Sequence, residues 1–230
     1  MYKEIHIPSV LNPESIGHLN KQLLNCEETQ TRFIVLKGSD NIFCNGLDLS
    51  WVANSYEANH TQDMQHYADF LKKLQSGQFI SIALVNGIVS GGGMGVVCAC
   101  DYVIANDTST FSLPEGLLGL IPGMILPSLL NRLSPQQIKK MVFTGKKYSA
   151  SEALQFNAVD EITNEHPIAL SNAINAMRSC KPGAVSDIKE ILYSSQASKD
   201  ELAAKGMAIL NKRLNESEIK QRLKDIADFM

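Results

Sequence analysis

Three short runs, "RFIVLKG", "ISIALVNG" and "DYVIAND", restrict the possible folds more than any other feature of the chain. They are rich in β-branched and apolar residues, and the first two close on glycine. They do not alternate polar with apolar positions, so each strand must be covered on both faces, as in a parallel sheet flanked by helices. "YKEIHI" does alternate and reads as a half-buried strand. Between the strands lie helical patterns. "NPESIGHLNKQLLNC" offers Asn12 as an N-cap, Pro13 in the first turn and Glu14 near the positive helix end. Its Ile16, Leu19, Leu23 and Leu24 are expected on one face. Strands interleaved with helices predict an α/β fold.

The 230 residues suit one large domain, or one domain with a small appendage. A hydrophobic share of 44% with 20% charged residues is that of a globular protein. A formal charge of -3 argues against nucleic acid as the main partner. The scattered, odd-numbered cysteines (Cys26, Cys44, Cys98, Cys100, Cys180) read as reduced thiols. The opening "MYKEIHIPSV" has no signal-peptide core, and no apolar stretch reaches the length of a membrane span. The expected location is therefore cytoplasmic.

Residues 50–76 read as mostly helical and polar. The second half is helical, with "SPQQIKKMVF", with "SASEALQFN" capped by Ser149 or Ser151, and with "AVDEIT" as a last strand. Four amphipathic helices end the chain. They are expected to cap the site or to dock on other subunits.

Three segments can carry chemistry. "SGGGMG" follows a strand and precedes an apolar run, the setting in which backbone N–H groups at a helix start bind an anion. It is neither GxGxxG nor a phosphate loop. Alone it fits a tight turn with close helix packing, or an oxyanion hole. "FCNGLDLS" follows another strand. Gly46 there permits an unusual backbone angle that turns the Leu47 N–H into a cleft, and Asp48 can cap the next turn. "FSLPEGLLGLIPG" sets Glu115 among Leu113, Leu117, Leu118, Leu120 and Ile121. Burial raises a carboxyl pKa, which suits a group that takes a proton and returns it near neutral pH. An exposed loop glutamate is the competing reading.

In this order and spacing the segments resemble the crotonase (enoyl-CoA hydratase/isomerase) superfamily. The match runs from "FIVLKGSDNIFCNGLDLS" through "ALVNGIVSGGGMGVVCACDYVIANDTSTFSLPEGLLGLIPG" to "FTGKKYSASEALQFNAVDEI". The resemblance implies a ClpP-like spiral of ββα turns over residues 1–165 and a helical C-terminal region over 166–230. The family usually opens with an extra strand, so the edge of the sheet is open to question here. The resemblance further implies that the N–H groups of Leu47 and Gly92 bind the carbonyl of an acyl thioester and that Glu115 moves the proton. Asn45, Gly46, Asp48 and Gly91 beside the donors, and Leu113 and Leu118 beside the acid, are the expected substrate contacts. No metal, nicotinamide or flavin is implied. The substrate would be carried on coenzyme A or on the phosphopantetheine of an acyl carrier protein, and the assembly would be a homotrimer or a dimer of trimers.

The departures narrow the expectation. Hydratases of the family carry a first glutamate two residues after the triple glycine, where this chain has Gly95. One carboxylate activates water poorly but still moves a proton along one face. "Gly-Gly-x-Gly" without that acid, with "Phe-Ser-Leu-x-Glu", resembles the dehydratase-type members of polyketide β-branching cassettes. They imply dehydration of a 3-hydroxy-3-methylglutaryl-like thioester. The alternatives are a 3,2-enoyl-thioester isomerase and a non-catalytic acyl-carrier-binding relative.

Other polar residues are weighed beside these. His60, His66, Tyr56 and Tyr67 read as a solvated helix or as a lid, and six-residue spacing excludes a histidine metal pair on one helix face. Ser112 either orients Glu115 or only ends a strand. Asp101 reads as a cap or a structural partner. Arg132, Lys139, Lys140, Lys146 and Lys147 meet phosphates or an acidic carrier, or form a solvated face.

Overall fold

The computed structural model describes residues 2–54, 60–194 and 199–228. After the strand β1 (Lys3–His6) and the helix α1 (Pro13–Glu28), the chain lays one strand in each of two sheets and then forms helix, three times over. β2 (Phe33–Lys37) and β3 (Ile42–Cys44) lead to α2 (Leu49–Asn54) and α3 (His60–Ser76). β4 (Ile80–Val85) and β5 (Ile88–Ser90) lead to α4 (Gly92–Ala99). β6 (Tyr102–Ala105) and β7 (Thr110–Ser112) lead to a 3-10 turn (Glu115–Leu118), α5 (Leu126–Arg132) and α6 (Pro135–Thr144). The short β8 (Tyr148–Ser149), α7 (Ala150–Gln155) and β9 (Glu161–Ile162) complete the spiral of ββα turns that the resemblance implies.

One sheet has the order β1-β2-β4-β6-β9 and is parallel throughout. The other has the order β3-β5-β7-β8, with only β8 antiparallel. β1 therefore forms the edge of the larger sheet. Both faces of that sheet are covered, as the unbroken apolar runs require. Ile34 and Leu36 face the main core, whereas Phe33, Val35, Ile82, Leu84 and Ile104 pack on Ala169, Leu170 and Ala173 of α8 (His166–Met177).

Local signals behave as their chemistry dictates. Asn12 Oδ1 accepts from Ser15 N at 2.9 Å and the Asn12 N–H donates to Ser15 Oγ at 3.0 Å, so two orphan donors of α1 are satisfied reciprocally. Ser149, not Ser151, is the N-cap of α7. Leu24 is a correction: it is exposed, and Cys26 joins Ile16, Leu19 and Leu23 on the buried face. A residue adjacent to Leu23 sits 100° round the helix, too far to share its contact.

Three further helices end the chain: α9 (Pro182–Ser194), α10 (Lys199–Leu214) and α11 (Ser217–Asp228). Met207, Leu210, Leu214, Ile219 and Leu223 are buried in the same core as Ile5 and Ile16. Lys189 of α9 is also buried. Its Nζ donates to Leu74 O at 2.9 Å and Phe79 O at 3.0 Å, and it pairs with Asp101 Oδ2 at 2.8 Å. Asp101 Oδ2 also accepts from Ser81 N and Ser81 Oγ, which makes it the structural partner anticipated above.

Candidate active site

A cleft of about 440 Å³ opens at one end of the smaller sheet, walled by α2, the segment 112–125 and α10. That volume lies in the range of small-molecule sites. Asn45, Leu47, Gly91, Gly92, Glu115 and Leu118 line it together. Gly46, Asp48 and Leu113 do not. Leu113 is fully buried in the core. Asp48 Oδ1 accepts from Ser50 N at 2.8 Å and Trp51 N at 3.2 Å, so it is spent on starting α2. Gly46 lies where two backbones come together.

The two expected donors come from different ββα turns. Leu47 bridges Leu11 in parallel register. Leu11 N donates to Gly46 O and Asp48 N donates to Leu11 O, both at 2.8 Å. Alternation along an extended chain then turns the Leu47 N–H to the opposite side. Gly92 begins α4, where the first N–H groups have no intrahelical acceptor and the helix dipole is positive. Among the described residues neither N–H donates to a protein acceptor. The two segments touch. A Cβ on Gly46 would lie 2.6 Å from Gly92 N, and one on Gly92 would lie 3.5 Å from Leu47 N. Gly91, the N-cap, has φ 51 and ψ -122, a conformation that only glycine adopts without strain.

Glu115 opens the 3-10 turn that follows Pro114. Its Oε1 lies 3.5 Å from where a Cβ on Gly91 would stand. Its Oε2 is buried and has no hydrogen-bond partner among the described residues. The residue as a whole is half-buried, but its carboxyl end is enclosed. Burial pushes the acid up to about 7 from an ordinary 4.5, against a smaller opposing effect from a backbone hydrogen bond. Among the described residues lining the cleft, Glu115 is the only carboxylate.

The place of a second acid is occupied. A Cβ on Gly95 would lie 2.5 Å from Ile125 Cγ2, 2.8 Å from Ile125 Cβ and 3.2 Å from Tyr67 Oη. Ile125 and Tyr67 both line the cleft. Tyr67 is fully buried rather than solvated, and its hydroxyl donates to Gly92 O at 2.5 Å, tying α3 to the start of α4. The sequence reading of Tyr67 as part of a solvated helix or a lid followed from the polar character of α3 overall. Its spacing from Phe70, Leu71 and Leu74, all buried, was the available signal.

The remaining polar candidates separate cleanly. His66 is exposed and does not line the cleft. Tyr56 and the side chain of His60 lie outside the described residues. Ser112 Oγ donates to Ser90 Oγ at 3.1 Å, not to Glu115. Of the basic group, Arg132 pairs with Asp160 at 2.9 Å and donates to Cys100 O and Asp101 O. Lys146 pairs with Glu152 at 2.8 Å. Lys139 and Lys140 are exposed elsewhere, and only Lys147 reaches the cleft. No described helix is long and apolar enough to cross a membrane.

Residues 6–225 match the family described as Enoyl-CoA hydratase/isomerase. The chain is 31% identical over 198 residues to bacillaene synthase dehydratase PksH of Bacillus subtilis (strain 168), across 84% of this chain and 76% of that protein. It is 28% identical over 170 residues to carnitinyl-CoA dehydratase of Proteus mirabilis (strain HI4320), across 72% of this chain and 64% of that protein. The crystal structure of a polyketide biosynthesis enoyl-CoA hydratase (pksH) from Bacillus subtilis has a TM-score of 0.88 at 24% identity, covering 97% of this chain and 93% of that one, a likeness of fold. Since the family match spans nearly the whole spiral and the C-terminal helices, the chain is an enzyme of the enoyl-CoA hydratase/isomerase family, within the crotonase superfamily.

Proposed function

We infer that this enzyme dehydrates a 3-hydroxyacyl thioester, of the 3-hydroxy-3-methylglutaryl kind, carried on an acyl carrier protein or coenzyme A. The observation that carries this reading is that, among the described residues, one enclosed carboxylate, Glu115, shares a cleft with two amides that have no protein acceptor, with the space at Gly95 filled by Ile125. The likeness to PksH, whose name describes a dehydratase of bacillaene synthase, supports the polyketide setting.

The chemistry follows from the groups present. The Leu47 and Gly92 N–H groups hold the thioester oxygen. Glu115 takes the α proton, and the C–H electrons move into the carbonyl to give an enolate. Charge develops on the oxygen that the two amides already face, so they stabilise it without reorganising. The enolate then collapses, the β C–O bond breaks, and the departing hydroxide takes the proton from Glu115 and leaves as water. The carboxylate is restored. A pKa of about 7 suits a group that serves as base and then as acid.

The lone carboxylate also suits 1,3-proton transfer, which moves a double bond without loss of water. The two readings differ in product. With a 3-hydroxyacyl thioester, an enoyl thioester forms in the first case and nothing in the second. Glu115→Gln is expected to slow dehydration by about 10²–10⁴. Exchange of the α hydrogen for deuterium in heavy water should fall with it. Turnover retained by this variant would remove Glu115 from the mechanism, and an enzyme that exchanges no α hydrogen would be a binder only.

A further inference from the structure

The cleft has a charged floor that the proton transfer does not use. Ser90 and Ser112 stand opposite each other on β5 and β7, and Ser112 Oγ donates to Ser90 Oγ at 3.1 Å. β7 pairs with β8 in antiparallel register, with Phe111 opposite Tyr148. One step further along this register, Lys147 comes opposite Ser112. Ser90, Ser112 and Lys147 all line the cleft, so they form a polar row across the smaller sheet that begins one residue from Gly91. Lys147 is exposed, and it is the only cation among the described residues lining the cleft. It forms no ion pair among the described residues, whereas its neighbour Lys146 is neutralised by Glu152.

We propose that Lys147, backed by the Ser112 and Ser90 hydroxyls, is an anion subsite that recognises a free carboxylate at the far end of the acyl group. This rests on the thioester reading above and names the residue that selects within it. Distance favours a carboxylate on the acyl chain over a phosphate on the carrier. Two strand spacings, about 10 Å, separate the backbone of Ser90 from that of Lys147. A lysine side chain and a five-carbon diacid together cover that gap. A carrier phosphate stands at the other end of the pantetheine arm, directed away from the acyl group. Charge points the same way. Among the described lining residues, an acyl carboxylate that reaches this side of the cleft meets one ammonium and two hydroxyls.

The test is binding of unreactive thioesters, which have no β-hydroxyl and so do not depend on dehydration. Affinities of glutaryl and butyryl thioesters are measured, each as the pantetheine and the coenzyme A derivative. The unsubstituted enzyme is expected to bind the glutaryl compound at least tenfold more tightly on either carrier. Lys147→Met should abolish that preference, Lys147→Arg should keep most of it, and Lys146→Met should leave it unchanged. A preference that survives Lys147→Met, or no preference in the unsubstituted enzyme, overturns the proposal. Equal loss of both acyl groups on coenzyme A, with none on pantetheine, also overturns it and assigns Lys147 to a phosphate. Loss of dehydration in Glu115→Gln is scored separately, so either reading can fail without the other.

Discussion

Gly46 and Gly92 meet backbone to backbone: a Cβ on Gly46 would stand 2.6 Å from the Gly92 nitrogen and 3.1 Å from Ser90 O. Gly46 also has φ 92, outside the range that L side chains adopt readily. Both facts serve one geometry, two amides from separate turns of the spiral held side by side. Gly46→Ala should push the Leu47 segment off α4 and misplace one donor. Loss of an oxyanion donor costs about 10²–10³ in kcat, and a fall of that size is expected with the fold retained by circular dichroism. A variant with unchanged kcat would show that the close approach is incidental.

Glu115 makes the enzyme's stability fall with pH in a defined window. The folded acid keeps its proton up to about pH 7, whereas an unfolded glutamate loses it near 4.5. Between these values the folded state binds more protons, so the contribution declines as pH rises and levels off above 7. The total is roughly 3 kcal/mol. Glu115→Gln should therefore match the parent below pH 4.5 and exceed it in stability at pH 8. Urea melts of the two proteins at both pH values measure the difference. In the active parent, kcat/KM should rise with pH through a midpoint near 7, because the carboxylate is the base.

Ile125 closes off the position of the missing second acid. With a Cβ at residue 95 only 2.5 Å from Ile125 Cγ2, Gly95→Glu is overpacked as well as charged. Overpacking alone costs about 1–3 kcal/mol, which corresponds to a drop of roughly 2–12 °C in Tm for a chain of this size. Combining Gly95→Glu with Ile125→Ala should recover part of that loss. If Gly95→Glu melts with the parent in a thermal scan, the neighbouring side chains have more freedom than their packing implies.

Lys189 fastens α9 to the spiral. Its ammonium is enclosed by two carbonyls and Asp101, with a side-chain exposure of 8%. Removing one member of a buried pair costs about 3–5 kcal/mol. Asp101 is partly open to solvent, so Lys189→Ala belongs at the lower end, about 3 kcal/mol. Chemical denaturation reads this directly, and faster hydrogen exchange in residues 182–194 should accompany it.

Much of this protein is local in origin. The β-branched runs become parallel strands because no other arrangement covers both their faces. Asn12, Ser134 and Ser149 start helices through their own side chains. The triple glycine opens α4 because Gly91 takes a backbone angle closed to other residues. These properties belong to a few adjacent residues, and they were legible along the chain. The glutamate in its apolar surroundings was legible for the same reason.

What the tertiary structure alone decided is which of these segments face one another. Asp48 caps α2 as its place in the sequence suggested, but that Gly46 packs backbone to backbone on Gly92, and that the bridge to Leu11 leaves the Leu47 amide on that side, follows from the packing alone. Tyr67, Ile125 and Lys147 come from segments remote from one another in sequence, and only sheet register and helix packing bring them to one cleft. A sequence records what each residue can do alone. The shape of a cavity depends on distances between residues far apart in the chain, and those exist only once the core has closed.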